Sequence, residues 1–444
     1  MSFRLSLFLV FLLLNLMAYL SLRRSVSVWV SPGRRRRVLD LVSLTVCLLN
    51  IPLLVFFIRQ ASGALHLVSP AVLQIVFYPA MAWLTTIIIF FFITAPPRLL
   101  WTIGKVLVGL IRKGKQLVSG SPPPALPSHA PAVSRRSFIA GSAGLMIPAI
   151  YGVAAYGAYG SMGAIDISGE ITIPLPHLPR SLDGLTIVQI SDLHVGPYIR
   201  EKELQHVVSL TNDLRPDVVV ITGDILDRSL ASLPDAVRGL TGIQAPLGVF
   251  TVLGNHDISS DRFSYSENFR GGVNIDNGLQ SIGIRTLRNQ VIRLGSGQDQ
   301  LALLGLDWLS TPGSRSFYSY QRTASQQQLA RMTEEAGPET PTVLLAHHPH
   351  TFMDASPLGI GLTLSGHTHG GGQIILATVD GVPLGIATFR FKYLSGLYKE
   401  NGCSLYVNRG IGYLGIPIRI NCPPEISRFK LISAASAENE PLPS

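Results

Sequence analysis

The chain has 444 residues, a formal net charge of +9 and a hydrophobic content of 47%, but its charge is unevenly distributed. The first 164 residues hold 15 Lys and Arg residues and one acidic residue, whereas the remaining 280 hold 21 and 26. Because the excess positive charge belongs to an apolar region, and no basic helix with interleaved aromatic residues follows it, the composition argues against a nucleic acid as partner.

Residues 1–120 contain three apolar stretches that are long enough to cross a bilayer, which requires about 20 residues. They are residues 5–22, 38–58 and 72–95. The shorter stretch 99–111 contains Lys105 and predicts a helix that lies on the membrane surface. Residues 1–120 are therefore expected to form a membrane region with about three transmembrane helices and a short interfacial helix, in contact with the lipid bilayer.

Residues 121–136 are rich in proline, predict a stiff cytoplasmic linker and end in the pair Arg135-Arg136. Residues 137–164 are weakly apolar, and they predict a fourth transmembrane segment. The sequence Ser134-Arg135-Arg136-Ser137-Phe138 also resembles a twin-arginine (Tat) export signal, which implies the Tat translocase as a partner during export. Alternatively, the two arginines only anchor the cytoplasmic end of a helix, and whether 137–164 is cleaved stays open.

The distribution of positive charge predicts the orientation of these segments. Arginines cluster between the first two spans, and Lys and Arg residues cluster again between the third and fourth, whereas 60–70 contains neither. Because positively charged loops stay in the cytoplasm, the chain after residue 164 is expected on the outer face of a multi-pass cell-membrane protein.

Residues 165–433 contain five polar clusters and are expected to form one large domain, followed by a flexible tail at 434–444. Each cluster follows an apolar run that predicts a buried strand, at 185–190, 218–222, 249–253, 342–346 and 361–364. The clusters are Asp192-Leu193-His194, Gly223-Asp224-Ile225-Leu226-Asp227, Gly254-Asn255-His256-Asp257, His347 and Gly366-His367-Thr368-His369. Helical patterns at 201–214 and 326–336 fit crossover connections, and the carboxyl ends of strands in such a sheet are where ligands bind.

The donors in these clusters are carboxylates, imidazoles and one amide, without cysteine. This set suits Mn, Fe, Zn or Ni better than Ca. Two divalent ions about 3.5 to 4 Å apart support the hydrolysis of phosphoesters. The sequence therefore predicts a metal-dependent phosphoric ester hydrolase with two divalent metal ions.

In its order and chemistry the whole set resembles the calcineurin-like metallophosphoesterases, over residues 185–431. The resemblance implies an α/β fold, a four-layer α/β/β/α sandwich of two mixed sheets, preceded here by an all-α multi-span membrane region. It also implies a ligand set. Asp192, His194 and His369 would bind the first metal, Asp224 would bridge, and Asn255, His347 and His367 would bind the second.

The resemblance further implies that His256 faces the phosphate as a proton donor, oriented by a carboxylate such as Asp257, and that the nucleophile is a metal-bound hydroxide. Asp227 is expected behind the metal ligands, and Arg228 beside it either meets the phosphate or caps a helix. His348 and His350 are expected at the rim of the site or on the surface.

Two further segments, Gly366-His367-Thr368-His369-Gly370-Gly371 with Gln373 and the stretch Val407-Asn408-Arg409-Gly410-Ile411-Gly412, are similar to the membrane-associated branch of this family. That branch includes transmembrane proteins with a metallophosphoesterase domain, YkuE-like phosphoesterases and UDP-2,3-diacylglucosamine hydrolases. It implies a phosphodiester, phosphomonoester or pyrophosphate substrate that is lipid-linked or envelope-associated.

Three alternatives stay open. The first is a UDP-2,3-diacylglucosamine pyrophosphatase of lipid A synthesis, whose substrate would place the site on the cytoplasmic face. The second is a soluble phosphoprotein or cyclic-nucleotide hydrolase, and the third is a non-catalytic membrane protein that binds metal or phosphate. Strand patterns at 404–408, 416–420 and 426–432 predict a second sheet, and Cys403 and Cys422 on either side of 404–421 could form a disulfide or remain free.

Overall fold

The computed structural model describes residues 3–62, 68–119, 135–160, 165–258, 265–308, 322–379, 382–385, 387–388 and 390–433. The chain divides into a helical unit, residues 1–61 and 71–159, and an α/β unit, residues 62–70 and 160–444. Most of the linker predicted at 121–136 and the whole tail predicted at 434–444 lie outside the described residues.

The helical unit is built from long apolar helices. They are α1 (Phe3–Trp29), α2 (Pro32–Ser62), α3 (Pro70–Val72), α4 (Tyr78–Ser119) and α5 (Arg135–Gly160), with a π-helical turn, Leu73–Phe77, between α3 and α4. Within the described residues, three stretches are long and apolar enough to cross a membrane: Phe8–Trp29, Pro32–Val55 and Pro70–Ile111. They contain most of the three spans that the sequence predicts, whereas α5 does not meet the same criteria and the fourth span stays a prediction.

The short surface helix expected at 99–111 is not a separate element. Helix α4 continues through it without a break, and Pro96 and Pro97 lie inside that helix. The charge of Lys105 is accommodated on the helix surface, where its Nζ lies 3.7 Å from the centre of the Trp101 ring. The charge that led to the expectation of a separate helix therefore does not interrupt α4.

Helices α1 and α5 pack closely because glycine lies at their contact. A Cβ atom on Gly144 would be 2.2 Å from Ser25 Oγ, and one on Gly141 would be 2.9 Å from Val28 Cγ2. Small residues allow this kind of close approach between membrane helices. The contact supports the prediction that α5 is a fourth span.

The α/β unit contains two large mixed sheets and a hairpin. Its strands are β1 (Asp166–Ile167), β2 (Ile171–Leu175), β3 (Thr186–Ile190), β4 (Val218–Ile221), β5 (Val249–Thr251), β6 (Ile284–Thr286), β7 (Gln290–Ser296), β8 (Asp299–Leu306), β9 (Thr342–Ala346), β10 (Leu362–Ser365), β11 (Ile375–Val379), β12 (Val382–Gly385), β13 (Gly396–Glu400), β14 (Cys403–Val407) and β15 (Glu425–Ser433). One sheet has the order β1-β15-β3-β4-β5-β6 with β2 beside β15, and the other has the order β13-β14-β10-β9-β8-β7. Strands β11 and β12 pair only with each other among the described strands.

The helices of this unit connect the strands and cover the sheets. They are α6 (Glu201–Asp213), α7 (Leu233–Leu240), α8 (Asn255–Ile258), α9 (Tyr265–Gln280), α10 (Arg322–Ala336), α11 (Phe352–Ala355) and α12 (His369–Gly372), with 3-10 turns at Arg180–Leu182, Leu230–Ser232, Pro349–Thr351 and Ser356–Leu358. Parallel pairing of β3 with β4 and of β8 with β9 requires such crossovers.

The strands alternate between two cores, as the period of two in a strand requires. On β8, Leu301 and Leu303 belong to the core between the two sheets, whereas Ala302 and Leu304 pack with Leu329 of α10. The inner core joins strands of both sheets, including Ile187, Val218, Leu345 and Leu364. The mixed sheets with outer helices confirm the fold class that the sequence predicts.

The five strands expected before the polar clusters are present as β3, β4, β5, β9 and β10, and their carboxyl ends carry those clusters. The strands predicted at 404–408 and 426–432 are present as β14 and β15, but the prediction of a strand at 416–420 is wrong. Apart from a bridge between Ile420 and Ile374, this segment is irregular, because the Gln373 side chain donates to the carbonyls of Ile416 and Ile418.

Candidate metal centre

The backbone of the loops after β3, β4 and β10 is unusual at the polar residues. Non-glycine residues rarely adopt positive φ, because the Cβ atom then crowds the backbone, and such residues often lie at functional sites. Five of them here carry polar side chains of the predicted site: Asp192 (φ 50°), His194 (φ 44°), Asp224 (φ 52°), His367 (φ 73°) and His369 (φ 48°). We infer that these sharp turns direct side chains from different strands toward one point.

A first group of possible metal ligands consists of Asp192, His194 and His369, all of them buried. His369 Nε2 lies 3.3 Å from Asp192 Oδ1 and 3.0 Å from His194 Nε2. Ser191 Oγ donates to the second carboxylate oxygen of Asp192 at 2.6 Å, and the backbone N–H of His367 donates to both carboxylate oxygens at 3.0 Å. These bonds fix the carboxylate so that Oδ1 faces the two imidazoles.

A second group consists of Asp224, His347 and His367. His347 Nδ1 donates to the carbonyl of Thr222 at 2.7 Å, which leaves the lone pair on Nε2. That Nε2 atom lies 3.2 Å from Asp224 Oδ2 and 3.3 Å from His367 Nδ1. The hydrogen bond to Thr222 thus selects the tautomer that can bind a metal.

Asp224 connects the two groups. Its Oδ1 accepts a hydrogen bond from the backbone N–H of His256 at 2.8 Å, while its Oδ2 lies 3.5 Å from His194 Nε2 in the first group and 3.2 Å from His347 Nε2 in the second. One oxygen is therefore held by the backbone, and the other is shared between the two sets of donors.

Asn255 supplies one more oxygen donor in a buried position. The residue is 2% exposed, and its Oδ1 has no hydrogen-bond partner among the described residues. A buried polar atom without a partner is costly, so such an atom in a native fold calls for a ligand, an ion or a water. This observation fits the predicted role of Asn255 as a metal ligand.

A third group consists of His194, Asp227 and His256, and it shares His194 with the first. His256 Nδ1 lies 3.3 Å from Asp227 Oδ1, and Arg228 Nη2 donates to His256 Nε2 at 3.0 Å. Arg228 has a φ of 61°, so its backbone also adopts the left-handed conformation. The imidazole is thereby held between a carboxylate and a guanidinium beside the first group.

Asp257 has a different place from the one that the sequence predicts. Its Oδ1 accepts a hydrogen bond from the backbone N–H of Leu226 and its Oδ2 one from that of Gly254, each at 2.9 Å. It thus joins the loop after β4 to the loop after β5. The carboxylate that contacts the His256 ring is that of Asp227, which corrects the expectation that Asp257 orients the ring.

Burial dominates the electrostatics of the imidazoles. It lowers the pKa of three of them, His194 (to about 3), His367 and His369. Burial would lower the pKa of His347 as well, but the Asp224 and Asp192 carboxylates raise it to about 9. Burial also acts to raise the pKa of Asp224, yet His347 and His256 hold it well below its usual value. His194, His367 and His369 are thus neutral around an ionised carboxylate, as a divalent cation requires, whereas His347 would have to release a proton when a cation binds.

The sequence analysis missed the structural support of the first group. Among the loops of this edge, the segment after β14 lies directly behind it, since Ile411 N donates to the carbonyl of Ser191 at 2.9 Å and Gly412 N to that of Asp192 at 2.7 Å. A Cβ atom on Gly412 would be 2.3 Å from Leu193 O, and one on Gly410, where φ is 74°, would be 2.7 Å from Asp192 Cβ. The signal in the sequence is the Gly410-Ile411-Gly412 spacing, which the sequence analysis used only for the similarity to the membrane-associated branch.

Two aromatic side chains beside the second group were also missed. Ring centres of Trp308 and Phe391 lie 5.4 Å and 5.5 Å from that of His367. His348, expected at the rim or surface, is 6% exposed and lies 5.7 Å from Trp308, whereas His350 is half-buried. As predicted, only His347 of the adjacent pair His347-His348 takes part in a group of possible ligands.

The donors present fit a pair of divalent ions. Asp224 of the second group also lies 3.5 Å from His194 of the first, both groups offer only oxygen and nitrogen atoms, and the unsatisfied amide oxygen of Asn255 adds a further donor. All three cysteines are free, and none belongs to a group of possible ligands among the described residues.

Comparison with known proteins supports the same assignment. The model of the calcineurin-like phosphoesterase family matches residues 185–371. The Bacillus subtilis protein named metallophosphoesterase YkuE is 30% identical over 315 residues, which cover 68% of this chain and 98% of that protein. The chain belongs to the calcineurin-like phosphoesterase family. The matched domain is accordingly that of a metal-dependent phosphoester hydrolase.

Two further relatives of this phosphoesterase are vertebrate proteins named transmembrane protein with metallophosphoesterase domain. The zebrafish protein is 35% identical over 271 residues and the bovine protein 32% identical over 275 residues, each match covering 60% of this chain. The matches span 57% and 56% of the length of those two relatives. Together with the three membrane-length helices, their names indicate a membrane protein.

Proposed function

We propose that the chain is a membrane-anchored phosphoesterase that uses two divalent ions, Mn, Fe, Zn or Ni, to hydrolyse a phosphodiester, phosphomonoester or pyrophosphate. One observation carries the proposal. Asp224 Oδ2 lies 3.5 Å from His194 Nε2 and 3.2 Å from His347 Nε2, so a single carboxylate oxygen serves both groups of donors. A shared carboxylate of this kind is what a two-ion site requires.

In this assignment, Asp192, His194 and His369 hold one ion, and His347, His367 and Asn255 hold the other, with Asp224 between them. When bound, the ions neutralise the charge of the phosphate and make water available as a nucleophile at neutral pH.

The chain's own residues bind and protonate the substrate. His256 Nε2 and the Arg228 guanidinium lie 3.0 Å apart, so a phosphate oxygen placed beside them would accept a hydrogen bond from the guanidinium and, from the protonated ring, one from Nε2–H. Asp227, in contact with Nδ1, favours the tautomer and orientation in which Nε2 faces the substrate. The ring acts as the acid in its doubly protonated form: Nε2–H gives its proton to the leaving oxygen, and Asp227 stabilises the Nδ1–H that remains.

The substrate is proposed to be lipid-linked or envelope-associated, and the α/β unit to lie on the outer face of a multi-pass membrane region after export by the twin-arginine route. The charge of the first 164 residues and the apolar helices support this topology. A reporter that works only outside the cytoplasm, fused after Ser444, is expected to be active. A reporter active in the cytoplasm would contradict the topology and favour the pyrophosphatase alternative.

Hydrolysis of bis(p-nitrophenyl) phosphate by the full chain in detergent tests the activity. With Mn added, we expect turnover, and we expect a chelator to remove it. Asp224→Asn should abolish both the turnover and the bound metal, which is measured by mass spectrometry. Asp235→Asn, which removes a half-buried carboxylate of α7 that pairs with Arg238 and belongs to none of the three groups, is the matched control and should retain both. Bound metal without turnover of this diester, of p-nitrophenyl phosphate or of a pyrophosphate would favour a non-catalytic binding protein.

A further inference from the structure

The hairpin formed by β11 and β12 exposes apolar side chains beside the metal centre. Leu376 is 67% exposed, Val379 52% and Leu384 37%. The sheet of β11 and β12 has no third strand among the described strands, and its described residues carry no charge. An isolated two-stranded sheet with exposed apolar side chains is a marginal structure in water, and such exposure indicates an interaction surface.

Both ends of the hairpin are attached to the metal centre. Its first strand begins six residues after His369, and the backbone N–H of Ala387, just after β12, donates to the carbonyl of Gly371 at 3.0 Å. From there the chain returns to Phe391, which lies against the ring of His367. Whatever contacts the hairpin is therefore held next to both groups of metal ligands.

The base of the hairpin lies on the side where the chain enters the α/β unit from α5. Asp166, the first residue of β1, accepts a hydrogen bond from Arg409 Nη2 at 2.5 Å. The Cγ atom of the same Arg409 is 3.2 Å from where a Cβ on Gly370 would lie, in the turn that leads to the hairpin. One arginine side chain thus spans the distance between the entry point and this turn.

In the proposed topology α5 crosses the membrane, and a short stretch of sequence connects it to β1. Only residues 161–165 separate the end of α5 at Gly160 from Asp166, a length of extended chain that reaches about 20 Å. After β12, Arg390 and Lys392 are exposed, Lys392 in an ion pair with Glu400, and basic side chains that follow exposed apolar ones suit a bilayer surface.

We propose that the β11–β12 hairpin inserts its apolar side chains into the surface of the lipid bilayer and presents the metal centre to a phosphoester carried by a lipid. The sequence between the two strands contains one charged residue, Asp380. The substrate class rests on the proposed hydrolase activity, and the membrane contact rests only on the membrane anchoring in the proposed function.

Labelling of the full chain reconstituted in phosphatidylcholine vesicles tests the contact. In a Cys47→Ala background, the described chain has no exposed cysteine, so Leu376→Cys and Val379→Cys can each carry the environment-sensitive fluorophore NBD. Leu247→Cys is the matched control, because Leu247 is 38% exposed but precedes β5, at the opposite end of the sheet from the metal centre. We expect the labels at 376 and 379, but not the label at 247, to show blue-shifted emission. The same two labels should be quenched by lipids that carry a nitroxide near the head of the acyl chain.

The contact is ruled out by emission at 376 and 379 equal to that at 247. Blue-shifted emission without quenching by the labelled lipid would also overturn it, since a protein would then cover the hairpin.

A pair of chromogenic phosphodiesters tests the consequence for the substrate. Hexadecyl p-nitrophenyl phosphate has an apolar chain and is presented in vesicles, whereas bis(p-nitrophenyl) phosphate has none and is presented in solution. We expect the double variant Leu376→Gln, Val379→Gln to lose about tenfold or more in kcat/KM on the hexadecyl substrate, because two apolar side chains are no longer transferred from water into the bilayer. The variant should retain its activity on bis(p-nitrophenyl) phosphate. Equal loss or equal retention on both would contradict the substrate assignment.

The two proposals can fail separately. Turnover of the soluble diester with water-exposed labels would remove the membrane contact and leave the proposed function intact. Quenched labels without turnover of either diester would leave the contact and remove the proposed function.

Discussion

His256 shows how two neighbours of opposite charge can prepare one side chain for proton transfer. Asp227 contacts Nδ1 at 3.3 Å, and Arg228 donates to Nε2 at 3.0 Å, so the ring is fixed at both nitrogens. The assignment gives the His256 side chain to neither ion, and its backbone N–H donates to Asp224 Oδ1. The side chain can therefore be removed with the backbone bond retained, which separates its role from that of the metal ligands.

Replacement of His256 by Ala should lower the turnover of bis(p-nitrophenyl) phosphate by about 10²- to 10⁴-fold, the usual contribution of a positioned proton donor. Bound metal should stay at the wild-type amount. Asp227→Asn, which keeps the shape but weakens the orientation of the ring, should give a smaller loss. Steady-state kinetics and metal analysis of the same preparations measure both quantities.

His206→Ala is the control for that experiment, because His206 is exposed on α6 and belongs to none of the three groups. A His256→Ala variant that loses its metal together with its activity would assign the side chain to the metal site instead. Wild-type turnover in His256→Ala would remove it from the reaction.

Among the elements of the fold, the loop at residues 408–412 depends on a buried arginine. Arg419 is 4% exposed, and its guanidinium donates to the carbonyls of Arg409 at 3.1 Å and Gly410 at 2.9 Å, to that of Gly412, and to that of Cys422 at 3.2 Å. Since Gly410 and Gly412 pack against Asp192 and His194, Arg419 is a positioning residue for the first group of ligands.

Arg419→Met should therefore lower both the stability of the α/β unit and its affinity for metal. Leaving several buried carbonyls without donors costs about 1 to 3 kcal/mol each, so a fall of several degrees in the thermal midpoint is expected. Metal titration in detergent should show weaker binding. Arg285→Met on β6, where the side chain is exposed, is the matched control. An unchanged metal affinity in a folded Arg419→Met protein would exclude the positioning role.

Elements and ligands differ in how far the sequence predicts them. The apolar runs before Asp192, Asp224 and His347 predict strands because their hydrophobic pattern is local, and the ligand types follow from the chemistry of the clusters. The contact between His256 and Asp227, the position of Arg419 and the irregular path of 416–420 depend on side chains that meet only in the folded chain. No local pattern encodes those contacts.

At the scale of the whole molecule, the metal centre joins the two sheets of the α/β unit. Asp192, Asp224 and Asn255 follow strands β3, β4 and β5 of one sheet, whereas His347 and His367 follow β9 and β10 of the other. Ions bound there would connect the sheets at their carboxyl edge. They would also neutralise carboxylates that are almost fully buried, at 0% exposure for Asp192 and 2% for Asp224.

Metal binding should consequently stabilise the α/β unit against heat. An ion that binds only the folded state adds RT ln(1 + [L]/Kd), about 4 kcal/mol at a thousandfold excess over Kd, because the unfolded chain no longer brings the two sheets together. We expect the thermal midpoint of the full chain in detergent, measured by calorimetry, to rise with Mn and to fall with chelator. Asp224→Asn should abolish that dependence and Asp235→Asn should retain it. A midpoint that does not respond to metal in the wild-type chain would contradict a centre that holds the two sheets together.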